Sequence, residues 1–98
     1  MIRVVIQDED GNEVSEGVDV PTSLLSRLDD PRFSCLRYVD PYGDTVFNRV
    51  QLSDLLQDLR TIGQSCQARD HEPEMRRIER LVERCQKEPH LYVRMIGD

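Results

Sequence analysis

Apolar residues recur along this chain at two spacings, and each spacing predicts its own kind of element. "IRVVIQ" alternates, which places Ile2, Val4 and Ile6 on one face of a strand. "EVSEGVDV" continues the alternation with Val14, Val18 and Val20. A two-residue Asp10-Gly11 turn between them would put the two apolar sets on opposite faces. A three-residue loop, Glu9-Asp10-Gly11 with Gly11 left-handed, pairs Ile6 with Val14 and Ile2 with Val18, and face matching selects it. "PTSLLSRL" (Pro21–Leu28) predicts a helix of at most two turns, ended by "DDPR". "FSCLRYV" (Phe33–Val39) reads as a third strand.

The stretch "DPYGDTVFN", Asp40 to Asn48, holds the densest local information. Pro41 and Gly43 stand where a tight turn wants them, and Thr45-Val46-Phe47 is β-prone. Asn48 is a favourable N-cap, with Gln51 three residues on to complete a capping box. Phe47 and Leu52 form the staple pair around it. These signals start a helix at Arg49. Its apolar stripe is Leu52, Leu55, Leu56, Leu59, Ile62 and Cys66. Asp70 is the expected cap of a second helix, with Pro73 in its first turn and Met75, Ile78, Leu81, Val82 and Cys85 as its stripe. Arg76, Arg80, Arg84 and Lys87 share the opposite side, which reads as a solvated face laced by Glu72–Arg76 and Glu83–Lys87 pairs. "LYVRMI" (Leu91–Ile96) predicts a last strand with Leu91, Val93 and Met95 on one face.

The predicted order is therefore β-β-(short α)-β-β-α-α-β over one domain, residues 1–98. It belongs to the α+β class: a mostly antiparallel sheet of four to five strands, covered on one face by an antiparallel helix pair. If the helices cover the side bearing Ile2 and Ile6, the other side carries Arg3 and Gln7, with Arg37, Tyr92 and Arg94 beside them. Arginine with tyrosine on an acidic protein suits a specific interface. The plainer reading is a solvated face with salt bridges to Glu13 or Glu16.

Composition narrows the function. The chain has 98 residues, a net charge of −6 and 33% charged residues, which fits a globular domain with a busy surface. Residues 1–50 hold ten acidic and five basic side chains, a net of −5, so the N-terminal half sets the acidity. Nucleic acid, which needs a basic footprint, is disfavoured as a partner. The first residues, "MIRVVIQDED", lack a basic start followed by a long apolar run, so no signal peptide is predicted. No apolar stretch approaches the length of a membrane span. Cys35, Cys66 and Cys85 are odd in number and widely spaced, which fits reduced thiols in a cytosol rather than disulfides or a zinc site. Cys66 and Cys85 read as small core residues, Cys35 as part of a strand.

Candidate chemistry is thin. "DEDGNE" (Asp8–Glu13) resembles a calcium loop, but its flanks are strands and its later ligands are missing, so a hairpin turn is expected. Asp40, Asp44, Tyr42 and Asn48 could share one loop site, yet each also suits a turn or a cap. His71 and His90 sit at helix boundaries. Asp98 lies just past the last strand. The expectation is no catalytic residue, no cofactor and no metal. Partner-binding candidates are Arg3, Arg37, Tyr42, Asp44, Tyr92 and Arg94.

"YVDPYGDTVFN" and "LYVRMIGD" resemble segments of short bacterial proteins of uncharacterised function, which share the D-P-Y-G-D-T turn and an aromatic-led strand ending in I-G-D. The resemblance runs from Tyr38 onward and implies a bacterial cytosol; it transfers no activity. The expected function is a non-enzymatic acidic binding protein, a regulator or immunity-type inhibitor that engages a protein with a basic surface. A homodimer is compatible with it. The alternative is a small enzyme or ligand-binding domain with a site around Asp40–Asn48, drawing on Arg37 and Arg94.

Overall fold

The alternating segments become the centre of a sheet. The computed structural model describes residues 1–28 and 30–98, so Asp29 of the "DDPR" break lies outside the described residues. Strands β1 (Ile2–Gln7), β2 (Val18–Val20), β3 (Asp44–Phe47) and β4 (Tyr92–Gly97) form one four-stranded sheet in the order β2-β1-β4-β3. Every neighbouring pair is antiparallel. Helices α1 (Thr22–Leu25), α2 (Leu52–Gly63) and α3 (Glu72–Lys87) complete an α+β fold, with α1 a single turn where up to two were expected. Ile2, Val4, Ile6, Val93 and Met95 are fully buried on the helix side, as their parity requires.

The first hairpin keeps its predicted loop and loses its predicted register. Gly11 is left-handed (φ 85°), and the Asp8 N–H donates to the Asn12 carbonyl at 2.9 Å across the three loop residues. Gln7 opposes Glu13 as expected. Beyond it the register has slipped by two: Ile2 faces Val20, not Val18, and Val4 faces Val18. The segment Ser15–Gly17 takes up the extra length. The Ser15 hydroxyl oxygen accepts from the Ile6 N–H at 2.9 Å, so a side chain replaces a ladder bond. A slip of two preserves every apolar face, and for that reason the alternation could not reveal it. Val14, expected in the core, is left at the surface.

The expected strand Phe33–Val39 does not form. Three successive N–H groups, of Ser34, Cys35 and Leu36, converge on the Asp58 carboxylate at 3.3, 2.7 and 3.1 Å. A strand sends successive N–H groups to opposite sides, so this arrangement demands a curled backbone. Cys35 accordingly adopts a right-handed helical conformation, and Leu36–Tyr38 form a 3₁₀ turn. Phe33, Cys35, Leu36 and Val39 are all buried, a spacing that no strand could present to one core. Asp58 lies on α2 at only 4% exposure, the one buried charged side chain among the described residues.

The α2 start follows its local signals. The Asn48 side chain accepts from the Val50 N–H at 3.0 Å, and the Gln51 side chain returns to the Asn48 N–H at 3.0 Å. The first turn, Arg49–Gln51, is 3₁₀. Phe47 and Leu52 are both buried. Two cross-helix contacts fix the orientation: Gln86 reaches Ser53 at 3.4 Å and Arg60 meets Glu79 at 3.6 Å. Advancing on α2 means retreating on α3, so the pair is antiparallel. Helix α3 makes the direct contact with β2, β1 and β4.

Two local expectations fail here. Helix α2 ends at Gly63, so Cys66 falls in the 3₁₀ connection Cys66–His71 and is exposed rather than in the core. The N-cap of α3 is His71, with no side-chain cap bond, in place of Asp70; Pro73 does sit in the first turn. Past α3 the chain reverses through His90, which holds a left-handed φ of 63°.

Candidate functional site

The helices cover one side of the sheet and leave the other open. Ladder partners define that open face. Arg3, Val5 and Gln7 on β1 stand opposite Ile96, Arg94 and Tyr92 on β4. Asp44 and Val46 on β3 stand opposite Ile96 and Arg94, and Asp19 on β2 opposite Arg3. Four of the six partner-binding candidates, Arg3, Asp44, Tyr92 and Arg94, therefore share one surface. Arg37 does not join them. It belongs to the 3₁₀ turn that replaces the expected third strand, and its guanidinium stacks over Tyr38 at 5.3 Å. Tyr42 stands apart too, on the Asp40–Gly43 turn, at 82% exposure.

The arginines of the face are neutralised in place. Arg94 donates to Asp44 through Nε at 3.1 Å and Nη2 at 2.5 Å. Arg3 lies 3.6 Å from Glu13, one of the two partners the sequence suggested. Val5, at the centre of the face, is fully buried between these rows, while Val46 is exposed and Tyr92 and Ile96 are half-buried. The face is thus an aliphatic and aromatic strip edged by ion pairs, the composition that favours association. Next to it runs the β1–β2 hairpin. Between Asp8 and Val20 the chain carries six carboxylates and no Lys or Arg.

The Asp40–Asn48 stretch spends its polar groups on itself. The Asp40 carboxylate accepts from the Tyr42 N–H at 2.8 Å, and the Asp40 N–H donates to the Thr45 hydroxyl at 3.0 Å. Asp44 holds Arg94, and Asn48 caps α2. The turn is also a packing element. The Gly97 N–H donates to the Gly43 carbonyl at 2.8 Å, and a Cβ on Gly97 would lie 2.5 Å from the Pro41 backbone. The D-P-Y-G-D-T turn and the I-G-D strand end, 50 residues apart in sequence, are one contact in space. The calcium-like loop is likewise internally satisfied: Asp8 accepts from the Asn12 N–H and then the Asp10 N–H, both at 2.9 Å, which together hold its carboxyl below the ordinary range. His90 contacts Glu9, and Asp98 pairs with the amino terminus at 3.1 Å.

The thiols divide by environment. Burial, then the negative charges of Asp58 and Asp54, push Cys35 up to about 11. Burial pushes Cys85 up to about 11 as well, with Arg84 opposing it in part. Cys66 is exposed. A neutral alkylating reagent at pH 8 should therefore modify one thiol in the native protein and three in denaturant, as counted by intact mass. The two buried thiols titrate at an ordinary 9.0 when unfolded and at about 11 when folded. Their contribution to stability is complete below pH 9 and is lost as pH rises towards 11.

Sequence reasoning passed over two features. Asp58 stands three residues after Leu55 and four before Ile62, on the apolar stripe itself, and that placement was the available signal. The arginine face of α3 does not behave as one solvated stripe. Arg84 pairs with Glu88 at 2.8 Å and donates to the Val14 carbonyl at 3.2 Å, in place of a Glu83–Lys87 pair. Arg76 pairs with Glu72 as expected, but it also lines a groove. Among the described residues no helix is long and apolar enough to cross a membrane. Comparison with protein families, curated proteins and solved structures gives no significant match for this chain.

Proposed function

We propose that this chain is a non-enzymatic acidic binding protein, a regulator or immunity-type inhibitor of a bacterial cytosol, that engages a partner with a basic surface. The observation that carries the reading is the open sheet face. It offers Val46, Tyr92 and Ile96 between the Arg94–Asp44 pair and Arg3, beside a hairpin of six carboxylates, one of which, Glu13, holds Arg3. Arg94 is offset by Asp44 and Arg3 by Glu13, so the remaining hairpin carboxylates dominate the field that a partner meets. Such a field speeds association with a basic surface and discriminates against acidic ones, and the strip supplies contact area once docked. Three free cysteines fit a reducing compartment.

The reading is tested by co-purification from the native host at low salt, with genomic neighbours co-expressed. A stoichiometric basic partner is expected. Its association rate should fall as salt rises, and V46D combined with Y92A should release it while leaving the fold intact. Recovery of a free monomer under those conditions, or a partner retained by the double variant, argues against the face.

A further inference from the structure

At the far end of the helix pair from the hairpin, where α2 turns into α3, the surface changes sign. A groove of about 480 Å³ is lined by Arg60 of α2, by Cys66 and Arg69 of the connection, and by Glu72, Arg76 and Glu79 of α3. Buried Ala68 and Met75 form part of its wall. A second groove of about 490 Å³ shares Glu72 and Arg76 and adds Arg77 and Arg80. Five guanidiniums therefore stand against two carboxylates along these two grooves, on a chain whose net charge is −6.

The pairing within the grooves is incomplete. Arg60 meets Glu79 at 3.6 Å, Arg76 meets Glu72, and Arg77 reaches Glu74 at 3.9 Å. Among the described residues, Arg69 and Arg80 form no ion pair. A solvated helix face would alternate its charges; here cations accumulate around concave surface. The first groove has the volume of a small-ligand site. Guanidinium forks match the tetrahedral oxygens of phosphate two at a time, and Arg76, which lines both grooves, is placed to serve either. The opening turns of α3 add the positive end of a 16-residue helix.

We propose that this double groove is a binding site for a compact polyanion of the phosphate class, held by Arg69 and Arg76 in the first groove and by Arg76 and Arg80 in the second. It is separate from the open sheet face and stands or falls without it. The three arginines are the binding residues; Arg60 and Arg77 keep their carboxylates and shape the rim.

Cys66 lies in the groove wall and serves as a reporter, since Cys35 and Cys85 are buried. The experiment measures the rate at which neutral iodoacetamide alkylates Cys66 in the intact chain, with inorganic pyrophosphate or with sodium chloride at equal ionic strength. Pyrophosphate is expected to slow alkylation about tenfold once it reaches about ten times its dissociation constant. Chloride should leave the rate unchanged. In R69A/R80A, two surface changes, the protection should vanish while the chloride rate and the thermal midpoint stay as in the parent. Equal slowing by both salts, no slowing by either, or full protection in the double variant overturns the proposal.

Discussion

Replacing Asp58 by alanine is expected to cost about 3–5 kcal/mol, the sum of leaving several buried donors unpaired at about 1–3 kcal/mol each. The carboxylate accepts from Ser34, Cys35 and Leu36, and two of those bonds are fully buried. Removing it orphans all three N–H groups and opens a hole between α2 and the 3₁₀ turn. For a domain of this size the loss corresponds to a fall of about 15–30 °C in Tm. D58N should be milder, about 1–2 kcal/mol, because one amide oxygen placed where Oδ2 now sits can still serve Cys35 and Leu36, as a weaker, neutral acceptor. Urea denaturation measures both. A second readout is specific to the segment: Cys35 should become open to alkylation in D58A under native conditions. A D58A loss below about 1 kcal/mol, against the typical worth of one hydrogen bond, would show that something else holds residues 33–39.

Gly97→Ala is expected to be nearly as damaging, at about 2–4 kcal/mol, the cost of forcing atoms into a filled site. The new methyl would sit 2.5 Å from both the carbonyl carbon and oxygen of Pro41 and 2.6 Å from the Asp40 carbonyl oxygen. All three are backbone atoms, so no rotamer change relieves the clash. Either β4 or the turn must move, and the Gly97–Gly43 bond goes with it. Gly63→Ala provides the contrast. That site, the last residue of α2, has nothing within 4 Å of a new Cβ, and alanine there should stabilise by about 0.5–1 kcal/mol through helix propensity. The two substitutions add the same atom and should have opposite signs. A neutral G97A would mean that the turn does not rest on the strand end.

The features read correctly from the chain are those set by neighbours in sequence. The Asn48–Gln51 box depends on residues three apart, and its geometry forms wherever those residues meet a helix start. Gly11 answers a loop requirement met within five residues. The burial of Ile2, Val4 and Ile6, and of Met75, Ile78 and Val82, follows from periods that any sheet or helix imposes. The grouping of Arg3, Asp44, Tyr92 and Arg94 was partly legible for the same reason: parity decides the face once a residue is in a strand. Arg37 failed that test because its segment is not a strand at all.

Periodicity and near neighbours therefore set the faces and most of the element starts: which side of each strand and helix turns inward, and the acidity of the hairpin. How distant segments answer one another is settled only in the packed fold. Phe33–Val39 has a strand's composition, yet a carboxylate 22 to 24 residues away collects its N–H groups and bends it. The β1–β2 register moved by two because Ser15 could supply a bond that no periodicity encodes. Gly97 is needed only because the Asp40–Pro41 backbone crosses it. The groove lined by Arg60, Arg69 and Arg76 exists only because α2 and α3 run antiparallel and meet at their junction. Local pattern reports the free energy of solvating or burying each residue. Contacts between remote residues depend on a geometry that exists only once the whole chain has folded.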